Sequence, residues 1–267
     1  MTRVCLAGAT GWAGSELARA IAASGDEMVL VSAVSRRSAG QSLGTALGDS
    51  RITAPVFATA LEALDFNAID VFVEYTKPEV AKQNVITAIH KGAHVVIGTS
   101  GLTTADLAEI DGEARRRHRG VLAVGNFALT AVLLLKFAEI AAKLIPHLEI
   151  IDYAHDDKVD APSGTVRELA ARMAAVRQPE QVIPVEQSTG EREARGATLS
   201  GAQVHSLRLP GYVISAEAIF GMPDQRLSIR HDSGSSAKPY VDGALLAIRK
   251  VSGLVGVHRG LDAVLDL

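Results

Sequence analysis

The sequence predicts an α/β protein in which a doubly wound parallel-sheet domain is followed by an α+β domain with a mixed, largely antiparallel sheet. Two observations carry this prediction. In the first half of the chain, short apolar runs alternate with helical stretches, which is typical of a parallel sheet covered by helices on both faces. In the second half, strand-like runs follow one another at short intervals, which favours antiparallel pairing. With 267 residues, the chain is long enough for two modest domains.

The parallel sheet is predicted from five short runs that are apolar on both faces. They cover residues 4–7, 28–31, 71–73, 95–97 and 121–124. Helical stretches lie between them, at residues 15–24, 78–91 and 104–117. A further helix at residues 128–144 is apolar around most of its circumference, which predicts that it is buried between layers.

The second domain is predicted from strand-like runs at residues 149–153, 203–209, 212–220 and 225–231. One helix at about 164–176 interrupts them, and the polar stretch 187–200 is expected to form a mobile loop. A final helical segment at 240–251 precedes the C-terminal segment 261–267. We expect one domain at residues 1–127, completed by about 240–267, and a second domain at 128–239.

Composition excludes several classes of partner. Aromatic residues make up only 4% of the chain and the formal net charge is −3, which argues against a nucleic-acid binder. Cys5 is the only cysteine, and no His-x-His or His-Glu-x-x-His spacing occurs, so we expect neither a disulfide nor a metal site. The most continuous apolar run, 128–135, is far shorter than the roughly 20 residues of a membrane helix. Without room for a signal peptide before the first strand, a cytoplasmic location is expected.

Three glycines directly after the first predicted strand predict a dinucleotide-binding turn. The segment reads Gly8-Ala9-Thr10-Gly11-Trp12-Ala13-Gly14 and opens the first helix. Glycines permit a tight turn and close approach of the backbone to a pyrophosphate, whose charge suits a helix N-terminus. All seven residues are therefore candidate cofactor contacts, with Trp12 as a lid or packing group. The alternative is an ordinary strand–helix turn.

The end of the second strand predicts which dinucleotide is bound. Sites selective for NAD usually place a carboxylate here for the ribose 2′-hydroxyl, whereas an arginine suits a 2′-phosphate. This chain has no carboxylate there but has Ser35, Arg36 and Arg37. The pattern favours NADPH, with NADH as the second choice. The alternative is that both arginines merely face solvent.

Two further segments follow predicted strands and so lie at the carboxyl edge of the sheet, where ligands bind in open α/β sheets. Their backbone groups are candidates for holding the nicotinamide carboxamide and ribose. The residues are Gly98, Thr99 and Ser100 after one strand, and Gly125, Asn126 and Phe127 after another.

Residues 153–165, Tyr-Ala-His-Asp-Asp-Lys-Val-Asp-Ala-Pro-Ser-Gly-Thr, predict an anion site at a helix start. Pro162, Ser163 and Gly164 suit a first helical turn, and the free amides of Gly164 and Thr165 suit a substrate carboxylate. Lys158, on the loop entering the helix, can add a charge or a proton. From the residues alone, a capped helix beside a solvated acidic loop fits equally well.

Taken together, these motifs resemble the dihydrodipicolinate reductase family from end to end. The resemblance rests on the glycine turn and on segments 75–78 (YTKP), 98–101 (GTSG), 125–127 (GNF), 158–165 (KVDAPSGT) and 264–267 (VLDL). It implies NAD(P)H-dependent reduction of a cyclic, unsaturated imine dicarboxylate in lysine and diaminopimelate biosynthesis. It also implies a cofactor domain completed by the C-terminal helix, and a substrate domain through whose sheets a homotetramer forms.

The resemblance also assigns individual residues. Thr76 joins the cofactor-binding set. The substrate is held by His155, Lys158, Ser163, Gly164 and Thr165, of which Lys158 and His155 are the catalytic candidates.

One departure from the family pattern concerns the proton donor. The family writes His-His-x-His-Lys where this chain has Ala154-His155-Asp156-Asp157-Lys158. Ala154 thus replaces the histidine usually assigned as the acid, and alanine cannot protonate the carbon that hydride transfer makes electron-rich.

Three explanations follow. In the first, the proton comes from Lys158, His155 or water. In the second, the pocket has been retuned for an enone, a quinone or another imine, with Asp157 or Tyr153 in the cavity. In the third, hydride transfer has been lost. The last explanation describes a non-catalytic NADPH sensor.

Overall fold

The computed structural model describes residues 1–265 and divides into two compact units. The first unit comprises Met1–Leu129 together with the segment that begins at Ala237, and the second comprises Thr130–Ser236. Asp266 and Leu267, which end the predicted C-terminal segment and the VLDL tail, lie outside the described residues.

A parallel sheet lies in the first unit, as the sequence predicts, but it has seven strands where five were predicted. Its strands, numbered along the chain, are β1 (Thr2–Ala7), β2 (Met28–Val34), β3 (Val56–Phe57), β4 (Val71–Glu74), β5 (His94–Ile97), β6 (Gly120–Ala123) and β12 (Gly256–Arg259). They are ordered β12-β6-β5-β4-β1-β2-β3, and every pairing is parallel. The strand order therefore reverses between β1 and β4. Such a switch point opens a crevice at the carboxyl edge, where ligands bind.

Helices connect these strands and shield the sheet. They are α1 (Trp12–Ala23), α2 (Leu43–Leu47), α3 (Ala60–Phe66), α4 (Pro78–His90), α5 (Thr104–Arg116) and α8 (Val241–Lys250). Capping boxes start two of them, Thr59 with Glu62 at α3 and Thr103 with Asp106 at α5. Successive residues of β1 from Val4 to Ala7 are fully buried, which confirms that both faces of the central strand are covered.

The second unit contains a mixed five-stranded sheet in the order β11-β10-β7-β9-β8. Its elements are α6 (Leu129–Leu144, its first residue in the first unit), β7 (His147–Ala154), α7 (Gly164–Val176), β8 (Ala197–Leu199), β9 (Ala202–Arg208), β10 (Ile214–Met222) and β11 (Gln225–Ser233). All its pairings are antiparallel except that of β7 with β9. Apolar side chains of α6 and α7 form one core with Ile150 and Phe220 of the sheet.

Two sequence-based expectations are wrong in detail. Helix α6 is not buried all round, because Phe137, Ile140 and Leu144 form an exposed stripe while Leu134 and Ala138 pack inward. Apolar composition does not reveal which stripe of a helix meets the sheet. The polar stretch 187–200 also contains a strand, β8, whose residues pair with β9.

Strands β3 and β12 were absent from the sequence-based prediction. The pairs Ala33–Val56 and Val257–Val121 fix them at the two edges of the parallel sheet. With two and four residues, they are too short to show a period of their own.

Candidate functional site

The glycine turn forms the first part of the candidate site. Gly8 leaves β1 with a φ of +79°, and a Cβ there would collide with the carbonyl of Tyr75. A Cβ on Gly14 would collide with the carbonyl of Gly8. The N-cap of α1, Gly11, supplies no side-chain hydrogen bond, so the first amides of the helix stay free for an anion. The turn therefore fits a pyrophosphate.

The same turn is linked to the end of β2. The hydroxyls of Thr10 and Ser35 lie 2.8 Å apart and hydrogen-bond. Arg36 and Arg37 are exposed beside them, and within residues 1–265 neither guanidinium belongs to an ion pair. Two uncompensated positive charges next to the turn are compatible with a ribose 2′-phosphate.

The remaining residues of the turn differ in exposure. Ala9 is buried, Ala13 is half-buried, and Trp12 is 60% exposed. The Trp12 ring meets Tyr240 edge-on with centroids 5.6 Å apart. Trp12 thus lies at the surface with one aromatic neighbour, and its role as a lid or packing group stays a prediction.

At the carboxyl ends of β4 and β5 lies a buried carboxylate that the sequence analysis missed. Glu74 is fully buried and accepts hydrogen bonds from the backbone amide of Thr76 at 2.7 Å and from Asn84 Nδ2 at 2.9 Å. It also accepts from the hydroxyl of Thr76 and, at 3.4 Å, from that of Thr99. Burial raises the pKa of Glu74 above its usual range, against the effect of these donors. In the sequence, the indication of this carboxylate was a single acidic residue at the end of the apolar strand VFVE.

Aromatic rings pack beneath the neighbouring loop. Gly98 lies so close to the rings of Tyr75 and Phe127 that a Cβ would collide with both. The two ring centroids are 5.6 Å apart. Burial raises the pKa of Tyr75, whose hydroxyl finds no hydrogen-bond partner within the described chain. Ser100, by contrast, is exposed.

The turn after β6 is held by its own side chain. Asn126 Oδ1 accepts a hydrogen bond from the amide of Ala128 at 2.9 Å, while Gly125 is exposed. Phe127 is buried, and its carbonyl lies where a Cβ on Gly243 of α8 would fall. The C-terminal helix therefore packs closely on this turn.

In the second unit, the residues of the predicted anion site lie at the start of α7. Ser163 is the N-cap, and its hydroxyl accepts a hydrogen bond from the amide of Val166 at 3.4 Å. Gly164 and Thr165 are first-turn residues, whose amides have no acceptor within the helix. Pro162 precedes the cap after a cis peptide bond, so the expectation that it begins the helix is wrong.

An ion pair between the buried Asp152 and the half-buried Arg208 holds the start of α7 in place, and it was not predicted from the sequence. Asp152 of β7 is fully buried and accepts hydrogen bonds at 2.8 Å from the amide of Ser163 and at 2.7 Å from Arg208 Nη2. Arg208 also donates to the carbonyl of Asp160 at 2.7 Å. One guanidinium thus joins β7, β9 and the loop before α7.

The loop after β7 carries the residues that differ from the family pattern. Ala154 is fully buried at the end of the strand. Nδ1 of His155 contacts a carboxylate oxygen of Asp157, and the ammonium of Lys158 contacts that of Asp160. His155 therefore has one ring nitrogen engaged by a carboxylate and Nε2 available.

Tyr153 does not share a face with Ala154, because successive side chains of a strand point to opposite faces. Its hydroxyl donates to Glu217 Oε2 at 2.8 Å, and the guanidinium of Arg230 lies 4.4 Å from its ring centre. Burial, followed by the hydrogen bond to Glu217, raises the pKa of Tyr153 to about 12. Tyr153 therefore lies on the face of β7 opposite to Ala154, with Glu217 and Arg230 as its neighbours.

Residues 1–265 contain neither a cluster of metal-binding side chains nor a membrane-spanning helix. No group of three or more histidine, cysteine, aspartate and glutamate side chains is arranged to hold a metal ion. None of the helices is long and apolar enough to cross a membrane.

Comparison with known proteins gives consistent matches over the whole chain. The family model for the dihydrodipicolinate reductase N-terminus matches residues 2–127, and the model for its C-terminus matches residues 130–265. The 4-hydroxy-tetrahydrodipicolinate reductase of Geobacillus thermodenitrificans is 37% identical over 264 residues, covering 99% of both chains. The enzyme of the same name from Moorella thermoacetica is 38% identical over 265 residues, covering 99% of this chain and 98% of its own.

Two solved structures are similar to this chain over its whole length. Dipicolinate-bound dihydrodipicolinate reductase from Paenisporosarcina sp. TG-14 superimposes with a TM-score of 0.87 at 32% identity, covering 99% of this chain and 100% of that one. An amine dehydrogenase from Mycobacterium smegmatis, at 14% identity and a TM-score of 0.69, shares the fold.

The parallel sheet, its glycine turn and these relatives define the class as a dinucleotide-dependent oxidoreductase. Within that class, the chain belongs to the dihydrodipicolinate reductase family, because both family models and full-length relatives match it. It is accordingly an NAD(P)H-dependent reductase.

Proposed function

We propose that this chain reduces a cyclic, unsaturated imine carboxylate, the substrate class of 4-hydroxy-tetrahydrodipicolinate reductase in lysine and diaminopimelate biosynthesis. The observation that carries the proposal is the start of α7, where the amides of Gly164 and Thr165 are free and Asp152 fixes the cap residue. A helix N-terminus anchored in this way is suited to a carboxylate. Lys158 and His155, on the preceding loop, add positive charge and hydrogen-bond donors for the same small molecule.

The proposed cofactor is NADPH in preference to NADH. The turn from Gly8 to Gly14 would hold the pyrophosphate, and Ser35, Arg36 and Arg37 the adenosine ribose with its 2′-phosphate. The nicotinamide half would be held by residues at the carboxyl edge of the sheet, namely Thr76, Gly98, Thr99, Ser100, Gly125, Asn126 and Phe127. When bound, NADPH supplies a hydride from C4 of its nicotinamide ring.

His155 is the proposed proton donor in place of the missing histidine. Its Nδ1 is engaged by Asp157, which leaves Nε2 for the substrate. Donation from Nε2 leaves the tautomer that keeps a proton on Nδ1, which the carboxylate stabilises. Lys158, whose ammonium contacts Asp160, is proposed to hold the substrate by its charge.

The reaction is tested by following NADPH oxidation with 4-hydroxy-tetrahydrodipicolinate and with a panel of other imines, enones and quinones. NADPH binding is measured in parallel through Trp12 fluorescence. We expect turnover of the first compound. Turnover of another acceptor alone would mean a retuned pocket, and binding without any oxidation would support the sensor.

The role of position 154 is tested by Ala154→His, with Ala154→Leu as a control of similar bulk. We expect Ala154→His to raise activity on 4-hydroxy-tetrahydrodipicolinate by a factor of ten or more, about 1.4 kcal/mol of barrier, because it restores an acid. Ala154→Leu is expected to give no gain. Equal activities of the two variants would show that the cavity has been reshaped around position 154.

A further inference from the structure

We propose that Glu74 is a positioning residue that sets the hydrogen-bond polarity of the nicotinamide half of the site. By taking up the hydroxyl protons of Thr76 and Thr99, it turns both hydroxyl oxygens into acceptors for the amide NH₂ of the nicotinamide carboxamide. This inference rests on the proposed binding of NAD(P)H at the carboxyl edge of the sheet.

The geometry isolates Glu74 from solvent and surrounds it with donors. Its side chain is fully buried at the end of β4, next to the switch point of the strand order. The backbone amide of Thr76 and the side-chain amide of Asn84, 2.7 Å and 2.9 Å away, can only donate. These contacts are those expected for a carboxylate that accepts at both oxygens.

The two threonines are bound through one carboxylate oxygen. Oε1 receives the hydroxyl of Thr76 from the loop after β4 and that of Thr99, at 3.4 Å, from the loop after β5. The Thr99 hydroxyl also lies 3.2 Å from the carbonyl of Glu74. A single buried group therefore ties together two loops that belong to neighbouring strands.

The number of protons on each group determines whether the threonine hydroxyls can donate to a ligand or only accept from it. A hydroxyl has one proton to donate and two lone pairs that accept, whereas an ionised carboxylate only accepts. Once each threonine gives its proton to Glu74, its oxygen can offer only lone pairs to a ligand. Such a pair of oxygens matches an NH₂ group and cannot donate to a carbonyl.

This arrangement accounts for the placement of a carboxylate where burial is unfavourable. Burial raises the pKa of Glu74, so the charged form is held at a cost that apolar packing would avoid. An apolar residue would leave the hydroxyl proton of Thr76 free to turn toward the cofactor, and Thr99 would keep only the backbone carbonyl of residue 74 as an acceptor. The carboxylate thus contributes recognition of the ligand in addition to packing of the strand.

The test combines a change in the protein with a change in the ligand. Glu74→Met keeps the length of the side chain but removes both acceptor oxygens, which frees the hydroxyl proton of Thr76 to turn toward the cofactor. The ligands are NADPH, its reduced 3-acetylpyridine analogue, which carries a methyl ketone in place of the carboxamide, and 2′,5′-ADP, which lacks the nicotinamide. Dissociation constants are measured by calorimetry, and Asp26→Asn, at an exposed turn, is the control with the same charge change.

We expect Glu74→Met to weaken NADPH binding about tenfold, or about 1.4 kcal/mol, and the acetylpyridine analogue less than threefold. Binding of 2′,5′-ADP should stay within twofold for Glu74→Met and Asp26→Asn. Equal losses for NADPH and its analogue, or a matching loss for 2′,5′-ADP, would overturn the inference. If Glu74→Met does not fold, Thr76→Val and Thr99→Val must show the same selective loss. Failure of the unaltered chain to bind any dinucleotide would instead refute the proposed function itself.

Discussion

At the scale of single residues, charged groups mark the candidate site of each unit. Arg36 and Arg37 stand exposed beside the glycine turn, and His155 contacts Asp157 on the loop after β7. The sequence was sufficient to nominate these residues because each type has a limited chemistry. It was not sufficient to nominate Glu74 or Asp152, because an isolated acid in an apolar strand does not reveal its donors.

The role of Arg36 can be tested by cofactor preference. Arg36→Ala should weaken NADPH binding by roughly 10- to 100-fold while changing NADH binding little, because a charge-assisted contact to the 2′-phosphate is lost. Arg117→Ala, at the exposed end of α5, is the matched control. Equal losses for the two cofactors would contradict the 2′-phosphate assignment.

The contact between Asp157 and His155 can be tested by measuring the ¹⁵N resonances of the His155 ring. Asp157→Asn should shift the ¹⁵N resonances of His155 toward a mixture of tautomers, because the carboxylate that holds the Nδ1 proton is gone. We expect kcat to fall several-fold with little change in KM. Asp156→Asn removes an adjacent carboxylate that lacks this contact and should leave both measurements unchanged. Identical spectra for the two variants would remove Asp157 from the proposed donor pair.

At the scale of elements, helix starts and strand ends position every candidate group. The turn before α1 is shaped by glycines, the start of α7 by its Ser163 cap, and the loop before α7 by the ion pair of Asp152 and Arg208. Loss of Arg208 is expected to cost about 3–5 kcal/mol, because the charge of Asp152 would stay buried without its partner. These contacts fix the start of α7 within the second unit.

The capping box of α5 gives a pH-dependent prediction. Hydrogen bonds from the side chain and amide of Thr103 lower the pKa of Asp106 to about 2, from an ordinary value of 3.8. A lowered pKa in the folded state adds stability that is present above pH 3.8 and is lost as the pH falls toward 2. Asp106→Asn should therefore be destabilising at pH 5, and the difference from the unaltered chain should shrink between pH 4 and pH 2.

Urea unfolding measured across that pH range checks the prediction. Glu109→Gln, on the same helix and paired with the same Lys82, is the control because it caps no backbone group. A difference between Asp106→Asn and the unaltered chain that stays constant down to pH 2 would contradict the assigned pKa.

At the scale of the whole molecule, the homotetramer that the family resemblance implies stays a prediction. Leu227 of β11 is 43% exposed and Met222 of β10 is 44% exposed. Contiguous apolar groups at a surface mark protein–protein contacts. We propose that this face of the mixed sheet belongs to the interface of the tetramer.

Light scattering after size-exclusion chromatography measures the assembly. The unaltered chain should elute as a tetramer, and Leu227→Glu should lower the mass, because it places a charge in the proposed interface. Leu61→Glu, at a similarly exposed position on α3, should leave the mass unchanged. A monomeric unaltered chain, or equal masses for all three proteins, would exclude this interface.

The parallel sheet, the glycine turn, the helix that begins near residue 164 and the family could all be predicted from the sequence, because each depends on a local pattern of residues. The edge strands β3 and β12, the exposed stripe on α6 and the partners of Glu74 and Asp152 became visible only in the folded chain. Each of these depends on groups far apart in the chain, such as Asp152 and Arg208, which are 56 residues apart. Local periodicity carries no information about such pairs, because folding brings them together through the register of the strands.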